Sequence, residues 1–372
     1  MSESTDRVCT FFSSNPKRNL LATSVVSLAL LAGCGEPAKQ ESSAKSTPAS
    51  SSSTQAAVTE SATEQCGKVT VANMNWQSAE VAAEIDKIIL SKGYGCEVAL
   101  VPGDTQPTLT SMVEKGEPDV APEAWVNAMR VVLDKSVSEG RLHYAAKILK
   151  DGGVEGLWVP AYIVESNPEI KTIDDALNHP ELFPAPEDKE KGGLHNCPSG
   201  WNCQISTKNA FKAWKAEEKG FQLVDTGSAA GLDGSIAKAY ERKEGWLGYY
   251  WAPTSILGKY KMVKLDAGVP HDSQAWKECN TKENCADPGK NDWAVSEVYT
   301  VVTDRFRKKG GAAYDYLSKR AWGNDTVNAL LSWMLENQAS GADAAVHFLK
   351  NNPDIWKSWV TPEAAEKISA GL

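Results

Sequence analysis

KVTVANMNWQSAEVAAEIDKIILSKGYGCEVALVPGDTQPTLTSMVEKGEPDVA, residues 68–121, alternates short apolar runs with amphipathic stretches of helical length. The predicted elements are strand Lys68–Ala72, helix Ala79–Leu90, strand Glu97–Val101, helix Thr108–Lys115 and strand Pro118–Ala121. Strands separated by helices are typical of βαβ units, in which neighbouring strands run parallel. This region therefore predicts an α/β fold built on a parallel sheet.

The chain that follows repeats this alternation and predicts a second lobe. Its elements are helix Gln204–Ala216, strand Phe221–Val224, helix Ser228–Arg242 and strands Trp246–Tyr250 and Lys261–Leu265, and the pattern is helical from Lys308 onward. Two apolar extended stretches, Leu157–Val164 and Val298–Val302, are predicted to cross between the lobes. We expect residues 66–158 and 298–372 to form lobe 1 and residues 159–297 to form lobe 2. Clefts between lobes and the C-terminal ends of strands are favoured ligand sites.

The N-terminus has the features of an export signal. Lys17 and Arg18 precede an uncharged apolar run, Leu20–Leu31, which ends in small residues and Cys34. The run is too short to span a bilayer stably, which argues against a retained transmembrane anchor. Leu31-Ala32-Gly33-Cys34 resembles the lipobox of bacterial lipoproteins, which implies that residues 1–33 are a signal peptide and that Cys34 carries lipid. Residues 34–65 are rich in Ser, Ala, Thr and Gln and predict a flexible tether.

Charge and histidine content exclude several classes of protein. The formal net charge is −9 and the isoelectric point is about 5.3, without a basic block, so nucleic acid is a poor partner. A zinc site at His195, Cys197 and Cys203 would lack a fourth ligand nearby, and we expect no metal and no cofactor. No Gly-x-Ser-x-Gly elbow is present and the five histidines form no motif, which disfavours an exported α/β hydrolase.

The chain has eight cysteines, of which Cys9 lies in the predicted signal and Cys34 directly follows it. Six cysteines are left to pair. An even number in an exported chain suggests disulfides. Pairing neighbours in sequence gives Cys66–Cys96, Cys197–Cys203 and Cys279–Cys285, and the last two pairs close short loops of turn-forming residues. Fifteen connectivities are possible for six cysteines, so this pairing is a preference.

Tryptophans occur at predicted strand ends and in loops, where core residues are not expected. There are thirteen tryptophans, and those in such places are Trp76, Trp125, Trp158, Trp201 and Trp251. Indole faces attract a cation held against them, and a quaternary ammonium, which has no N–H to donate, suits such a host. The alternative is that each ring is simply packed. We assign that role to the helical Trp214, Trp322, Trp333, Trp356 and Trp359 and leave Trp246, Trp276 and Trp293 unassigned.

Three segments together resemble a known family. They are DVAPEAW at 119–125, CPSGWNC at 197–203 and GYYWAP at 248–253. They are similar to segments of the substrate-binding proteins of glycine betaine, choline and proline-betaine importers, and the resemblance extends over Lys68–Leu372. It implies a two-lobe, periplasmic-binding-protein-like fold of type II. It also implies an exported, monomeric, non-enzymatic protein that serves an ABC permease and its cytoplasmic ATPase.

The resemblance also implies which residues bind the ligand. Trp125, Trp201 and Trp251 would surround the ammonium group, and Trp76 and Trp158 match positions where some branches add aromatics. The N–H groups of Trp201 to Cys203, including Asn202, would hold a carboxylate. Independently of any resemblance, the start of a helix such as Gln204–Ala216 offers unpaired N–H groups to an anion. A glycine betaine ligand fits such a bipolar site.

Alternatives remain open within the binding class. Glu123, two residues before a cage tryptophan, could favour a ligand without a carboxylate, such as choline, although a solvated or hinge-region charge is the commoner role. Proline betaine, carnitine, dimethylsulfoniopropionate, an amino acid or a polyamine could occupy the same cleft. The same fold would also serve a sensor lobe that docks on a receptor.

Overall fold

A computed structural model describes residues Cys66–Leu372. The predicted signal peptide, the lipidation site at Cys34 and the tether lie outside the described residues. Two five-stranded sheets form the framework. The first contains β1 Lys68–Met74, β2 Glu97–Gly103, β3 Val120–Trp125, β4 Leu142–Lys147 and β10 Val298–Thr303; the second contains β5 Val154–Pro160, β6 Gly192–His195, β7 Phe221–Val224, β8 Leu247–Ala252 and β9 Met262–Lys264.

The two sheets have the same arrangement. Their strand orders are β2-β1-β3-β10-β4 and β7-β6-β8-β5-β9. In each sheet three strands pair in parallel, and the fourth pairs antiparallel with both of its neighbours. That fourth strand, β10 in lobe 1 and β5 in lobe 2, is the first strand that the chain forms after crossing from the other lobe. The α/β class and the two-lobe fold predicted from the sequence are confirmed.

Helices cover both sheets. Their bounds are α1 Gln77–Ile88, α2 Thr105–Lys115, α3 Arg130–Ser138, α4 Ala161–Ser166, α5 Ile173–Leu177, α6 Cys203–Ala213, α7 Ala229–Arg242, α8 Ser255–Lys259, α9 Ser273–Ala275, α10 Asp304–Lys309, α11 Ala312–Lys319, α12 Asn324–Asn337, α13 Gly341–Asn351, α14 Pro353–Trp356 and α15 Pro362–Ala370, with short turns at Ile89–Gly93, Pro180–Leu182 and Trp276–Asn280. The helices after β10 bury their apolar faces against the lobe 1 core. No helix within Cys66–Leu372 is both long and apolar enough to cross a membrane.

The boundary expected at residue 158 falls inside a strand. Val154–Pro160 pairs with β8 and β9, so the chain has already joined lobe 2 before Leu157. The first crossover therefore lies between Lys147 and Val154, earlier than the predicted stretch Leu157–Val164. A segment that crosses between lobes and a buried strand can both be apolar and extended. The sequence of Leu157–Val164 therefore could not show which of the two it forms.

The two connecting segments are bonded to each other. Gly153 and Ser296 form an antiparallel bridge, with N···O distances of 2.8 and 2.7 Å. The Trp125 ring lies directly on this bridge, where a Cβ at Gly153 would overlap it. The absence of a side chain at residue 153 therefore lets a ring of lobe 1 pack against the connection between the lobes.

Three disulfides join cysteines that are near in sequence. Cys66 pairs with Cys96, Cys197 with Cys203 and Cys279 with Cys285, at Cα separations of 5.1, 5.7 and 5.1 Å. The first joins the start of β1 to the start of β2, the two strands that run parallel at the edge of lobe 1. The second closes the loop that leads from β6 into α6.

Candidate functional site

A pocket between the lobes collects most of the tryptophans singled out in the sequence. Trp76, Trp125, Trp201 and Trp251 line it, together with Asn202 and Cys203. It encloses about 510 Å³ of unfilled space, its open mouth included. Both lobes contribute, since Trp76 and Trp125 belong to lobe 1 and the other four residues to lobe 2.

The indole rings are packed at right angles to one another. The centroid of Trp201 lies 5.4 Å from that of Trp76, with 74° between the ring planes, and 5.0 Å from that of Trp251, with 80°. All three side chains are more than nine-tenths buried. In this edge-to-face packing the rim of one ring lies on the face of its neighbour, and a cation is attracted to the ring faces that remain uncovered.

Strand ends place three of these rings. Trp76 follows β1 and precedes α1, Trp125 is the last residue of β3, and Trp251 lies near the end of β8. The ends of neighbouring parallel strands meet at one edge of a sheet, and each sheet turns that edge toward the other lobe. Trp201 comes from the loop closed by the Cys197–Cys203 disulfide.

Glu123 lies behind the pocket and is fully buried. Its Oε1 accepts hydrogen bonds from the indole N–H of Trp76 at 2.8 Å, the hydroxyl of Ser78 at 2.8 Å and the indole N–H of Trp125 at 3.0 Å. Burial raises the pKa of Glu123, and these hydrogen bonds oppose the rise. The interpretation of Glu123 as a solvated charge is wrong, because the strand directs its side chain into lobe 1 beside the tryptophans.

Glu155, which the sequence did not single out, is the acidic residue that does line the pocket. One carboxylate oxygen accepts a hydrogen bond from the Tyr249 hydroxyl at 2.7 Å, and the other accepts one from the Ser296 hydroxyl. Removal from water raises the pKa of Glu155, and the bonds from Ser296 and Tyr249 oppose the rise. The lining within the described residues includes no lysine, arginine or histidine. The charged side chain of this lining is thus a carboxylate, which favours a cation, and the charge of Lys264 also acts on Glu155.

The start of α6 forms the other side of the pocket. Asn202 precedes the first residue of the helix, Cys203, and both line the pocket. The Asn202 side chain makes no capping bond, and its Nδ2 is buried without a protein partner in the described residues. The backbone N–H groups of Gln204 and Ile205 donate to the carbonyls of Trp201 and Asn202 at 3.2 and 3.3 Å, so the unpartnered side-chain donor at this helix start, among the described residues, is the Asn202 Nδ2. The helix dipole adds a partial positive charge at this end. The arrangement can hold a negative end of a ligand.

Trp158 is not brought to the pocket. It pairs with Gly248, whereas Glu155, three residues earlier, pairs with Trp251. Side chains alternate across a strand, so Glu155 and Trp158 point to opposite faces of the sheet. The indole N–H of Trp158 donates to the carbonyl of Tyr250 at 2.9 Å inside lobe 2. Trp158 is therefore a packed side chain of lobe 2. Packing was the alternative to cation binding that the sequence left open for each tryptophan.

Other lining residues were missed by sequence reasoning. They are Thr105, Asn127, Ala128, Glu155, Ser206, Tyr249 and Trp276. A signal existed for Tyr249, because it lies two residues before Trp251 in one strand and so shares its face. Ser206 likewise lies one turn after Asn202 in the same helix. No pattern marked Trp276, which arrives from the distant 276–280 turn. No group of His, Cys, Asp and Glu within Cys66–Leu372 is arranged to hold a metal ion.

Comparison with known families shows which family the chain belongs to. A family model described as the substrate-binding domain of ABC-type glycine betaine transport systems matches residues 67–351. The chain belongs to this family. Its members are extracytoplasmic substrate-binding proteins that bind small quaternary amines for an ABC permease, and they are not enzymes.

Solved structures of glycine betaine and choline binding proteins share the fold. The glycine betaine/L-proline-binding protein ProX of Borrelia burgdorferi is 19% identical and aligns over 81% of this chain and 99% of its own, with a TM-score of 0.63. A choline binding protein in complex with choline is 18% identical over 83% and 99%, with a TM-score of 0.65. Lactococcal OpuAC, closed on glycine betaine, is 18% identical over 79% and 100%, with a TM-score of 0.60. At these identities the likeness concerns the fold.

Proposed function

We propose that this protein captures a quaternary-ammonium solute, glycine betaine foremost, and delivers it to an ABC importer. The observation that carries the proposal is the cluster of indole rings, with centroids 5.0 and 5.4 Å apart, at a pocket whose lining among the described residues includes Glu155 and no basic side chain. A desolvated cation gains about 2 kcal/mol or more from an aromatic face. The methyl groups of the ammonium add the burial of apolar surface.

The two ends of the pocket differ in a way that suits a betaine. The end that would receive the ammonium is lined by Trp76, Trp125, Trp201 and Trp251. The donor wall at Asn202 and Cys203, where the Asn202 Nδ2 has no hydrogen-bond partner within Cys66–Leu372, would receive the carboxylate. An anion at a helix start is also favoured by the helix dipole.

Choline is the second candidate, and Glu155 favours it. A carboxylate that lines the pocket repels the carboxylate of a betaine and can accept a hydrogen bond from a hydroxyl. From the sequence, Glu123 was the residue that could favour a ligand without a carboxylate. Glu155 is the residue in a position to do so, because it lines the pocket. Proline betaine, carnitine and dimethylsulfoniopropionate share the cationic headgroup and belong in the same comparison.

The proposal is tested by calorimetric titration with glycine betaine and with 3,3-dimethylbutanoate, in which carbon replaces the ammonium nitrogen. The carbon analogue should bind at least about tenfold more weakly, since about 1.4 kcal/mol corresponds to each decade. Trp251→Leu keeps much of the apolar area and removes the ring face, so it should narrow that difference.

Trp333→Leu is the matched control, because Trp333 of α12 stacks on His347 of α13, outside the pocket. The Trp333→Leu variant should keep the wild-type ratio of the affinities for glycine betaine and 3,3-dimethylbutanoate. Equal affinity of the wild type for the two compounds would exclude a cation site. Titration with choline decides between the two candidates, since betaine should bind more tightly if the donor wall is used.

We further propose that the protein is exported and held at a membrane by lipid on Cys34. The support is the order of charge, apolar run and Leu31-Ala32-Gly33-Cys34 in the sequence. Mass spectrometry of the membrane fraction should find a mature chain that begins at a lipidated Cys34. Retention of Met1, or an unmodified Cys34, would contradict the anchor.

A further inference from the structure

A single oxygen atom of Glu123 holds both tryptophans that lobe 1 contributes to the pocket. Trp76 and Trp125 each donate their indole N–H to Oε1. An indole has one donor, which usually finds a partner when the ring is buried. The same oxygen atom of Glu123 therefore fixes the orientation of both indole rings. Glu123 does not line the pocket itself.

The backbone beside Glu123 is anchored from the core. The Arg320 guanidinium donates to the carbonyl of Pro122 at 3.1 Å and is itself held by Asp86, with 2.8 Å between Arg320 Nε and Asp86 Oδ1. Arg320 and Asp86 are both fully buried. The acceptor for the two indoles is thus attached to a fixed part of lobe 1.

The second carboxylate oxygen of Glu123 is unused. Its Oε2 is buried and has no hydrogen-bond partner in the described residues. Taking a carboxylate out of water without a full set of partners is unfavourable, and a nearby positive charge offsets that cost. Arg320 supplies part of this offset through its charge. A cation bound against the faces of the two rings would supply more.

We propose that Glu123 is a positioning and specificity-determining residue that acts on the bound cation through Trp76 and Trp125. The inference rests on the proposed cation site. Glu123 orients both ring faces toward the pocket and places a negative charge behind them. A hydrogen bond to an ionised acceptor is stronger than one to a neutral acceptor, and it draws electron density into the ring that donates. In a site shielded from water, the carboxylate also attracts the cation directly.

The experiment compares Glu123→Gln with Glu123→Leu in the purified mature protein, by calorimetric titration with glycine betaine and 3,3-dimethylbutanoate. Gln keeps an oxygen acceptor for the indoles and removes the charge. We expect E123Q to bind betaine about tenfold more weakly and the carbon analogue less than about threefold more weakly, because the charge acts mainly on the cation. E123L, which loses the acceptor as well, should weaken both.

Asp119→Asn is the matched control. Asp119 lies one residue before β3, is also buried, and accepts bonds from Thr70 and Arg305 away from the pocket. It should lower stability without changing the ratio of the two affinities. If E123Q lowers both affinities by the same factor, or neither, Glu123 has no role in selecting a cation and the proposal fails.

Near-ultraviolet circular dichroism of the ligand-free protein separates this proposal from the proposed function. The tryptophan bands of E123Q should match the wild type, whereas those of E123L should be altered because two indoles lose their acceptor. Should the wild type fail to distinguish betaine from its carbon analogue, the cation site is excluded. An unaltered E123L spectrum, by contrast, overturns the positioning role whatever the ligand.

Discussion

His195 makes the stability of lobe 2 depend on pH through one buried ring. It lies at the end of β6, where its Nδ1–H donates to the carbonyl of Leu247 at 3.1 Å and the ring stacks on Trp246 at 5.1 Å. Burial lowers the pKa of His195 from 6.5 to about 4, and the bond to Leu247 partly opposes this. The folded protein therefore keeps the ring neutral at a pH where the unfolded chain has already protonated it.

The consequence is a loss of stability as the pH falls through the window from 6.5 to 4. Between these values the unfolded state binds a proton that the folded state does not, so acid favours unfolding. Lowering the pH from 7.5 to 4.5 should remove roughly 2–3 kcal/mol of unfolding free energy through this group.

His195→Asn keeps a donor for the Leu247 carbonyl and cannot titrate in this range. Urea unfolding of both proteins at pH 7.5 and 4.5 measures the difference. Between pH 7.5 and 4.5 the unfolding free energy of the variant should fall less than that of the wild type, and the difference should be about the amount attributed to His195 above. Parallel losses in the two proteins would show that His195 does not titrate as described.

The sequence predicted the aromatic part of the pocket better than its polar part. Trp76, Trp125, Trp201 and Trp251 all follow strands or lie in a cysteine-closed loop, and all four line the pocket. Glu123 and Glu155 could not be told apart in the same way. A glutamate on a strand points into a pocket or behind it according to the register of its strand, and register is set by pairing with partners distant in sequence.

At the scale of elements, strands rich in branched apolar residues were predicted and others were missed. Phe221–Val224 has the composition of a strand, and β7 forms over these predicted residues. Val298–Val302 was predicted to cross between the lobes; that is wrong, because it lies in β10 and pairs with β3 and β4, so the chain has already crossed before Val298. β6, with the sequence GGLH, was not predicted because glycine disfavours strands. It forms because it is buried between β7 and β8, so tertiary packing overrides local preference.

The loop that carries Trp201 shows why one glycine is required there. Gly200 has φ +89°, a conformation that side chains rarely adopt, and a Cβ at this position would collide with the Asp104 carboxylate. Its carbonyl accepts from the backbone N–H of Gln106 at 3.1 Å. Because Gly200 belongs to lobe 2 and Asp104 to lobe 1, this close approach of the two lobes requires a residue without a side chain at position 200.

At the scale of the whole molecule, hydrogen bonds join the lobes across the pocket. The Trp201 indole N–H donates to Asn75 Oδ1 at 2.7 Å, and Asn75 Nδ2 donates to Asp104 at 3.2 Å. On the far side the Ser255 hydroxyl donates to Gln77 at 2.6 Å. Helices α8 and α12 also meet, since a Cβ at Gly258 would lie 2.7 Å from the Ser332 hydroxyl. The described conformation is one in which the lobes touch.

These contacts predict that Asn75 favours the closed form. Asn75→Ala removes the acceptor for Trp201, and a hydrogen bond contributes about 0.5–1.5 kcal/mol. We expect closure of the lobes to accompany binding of the proposed ligand, since both lobes line the pocket. Glycine betaine affinity, measured by calorimetric titration, should then fall roughly two- to tenfold.

Small-angle scattering should show a smaller contraction on adding the same concentration of betaine below saturation. Asn178→Ala is the control, because Asn178 is exposed at the end of α5 within lobe 2. It should bind as the wild type does. Wild-type affinity in N75A would show that the Trp201–Asn75 bond is not part of the ligand-bound form. No local pattern predicts this bond, since it depends on how two separately folded lobes meet.

The cysteine pairing has a practical consequence for watching that motion. Every cysteine in Cys66–Leu372 is joined to another, so this part of the chain offers no thiol to a maleimide dye. Cysteines introduced at exposed Lys115 in lobe 1 and Lys189 in lobe 2 would be labelled selectively. Energy transfer between two such dyes would then record the opening and closing of single molecules as solutes enter and leave.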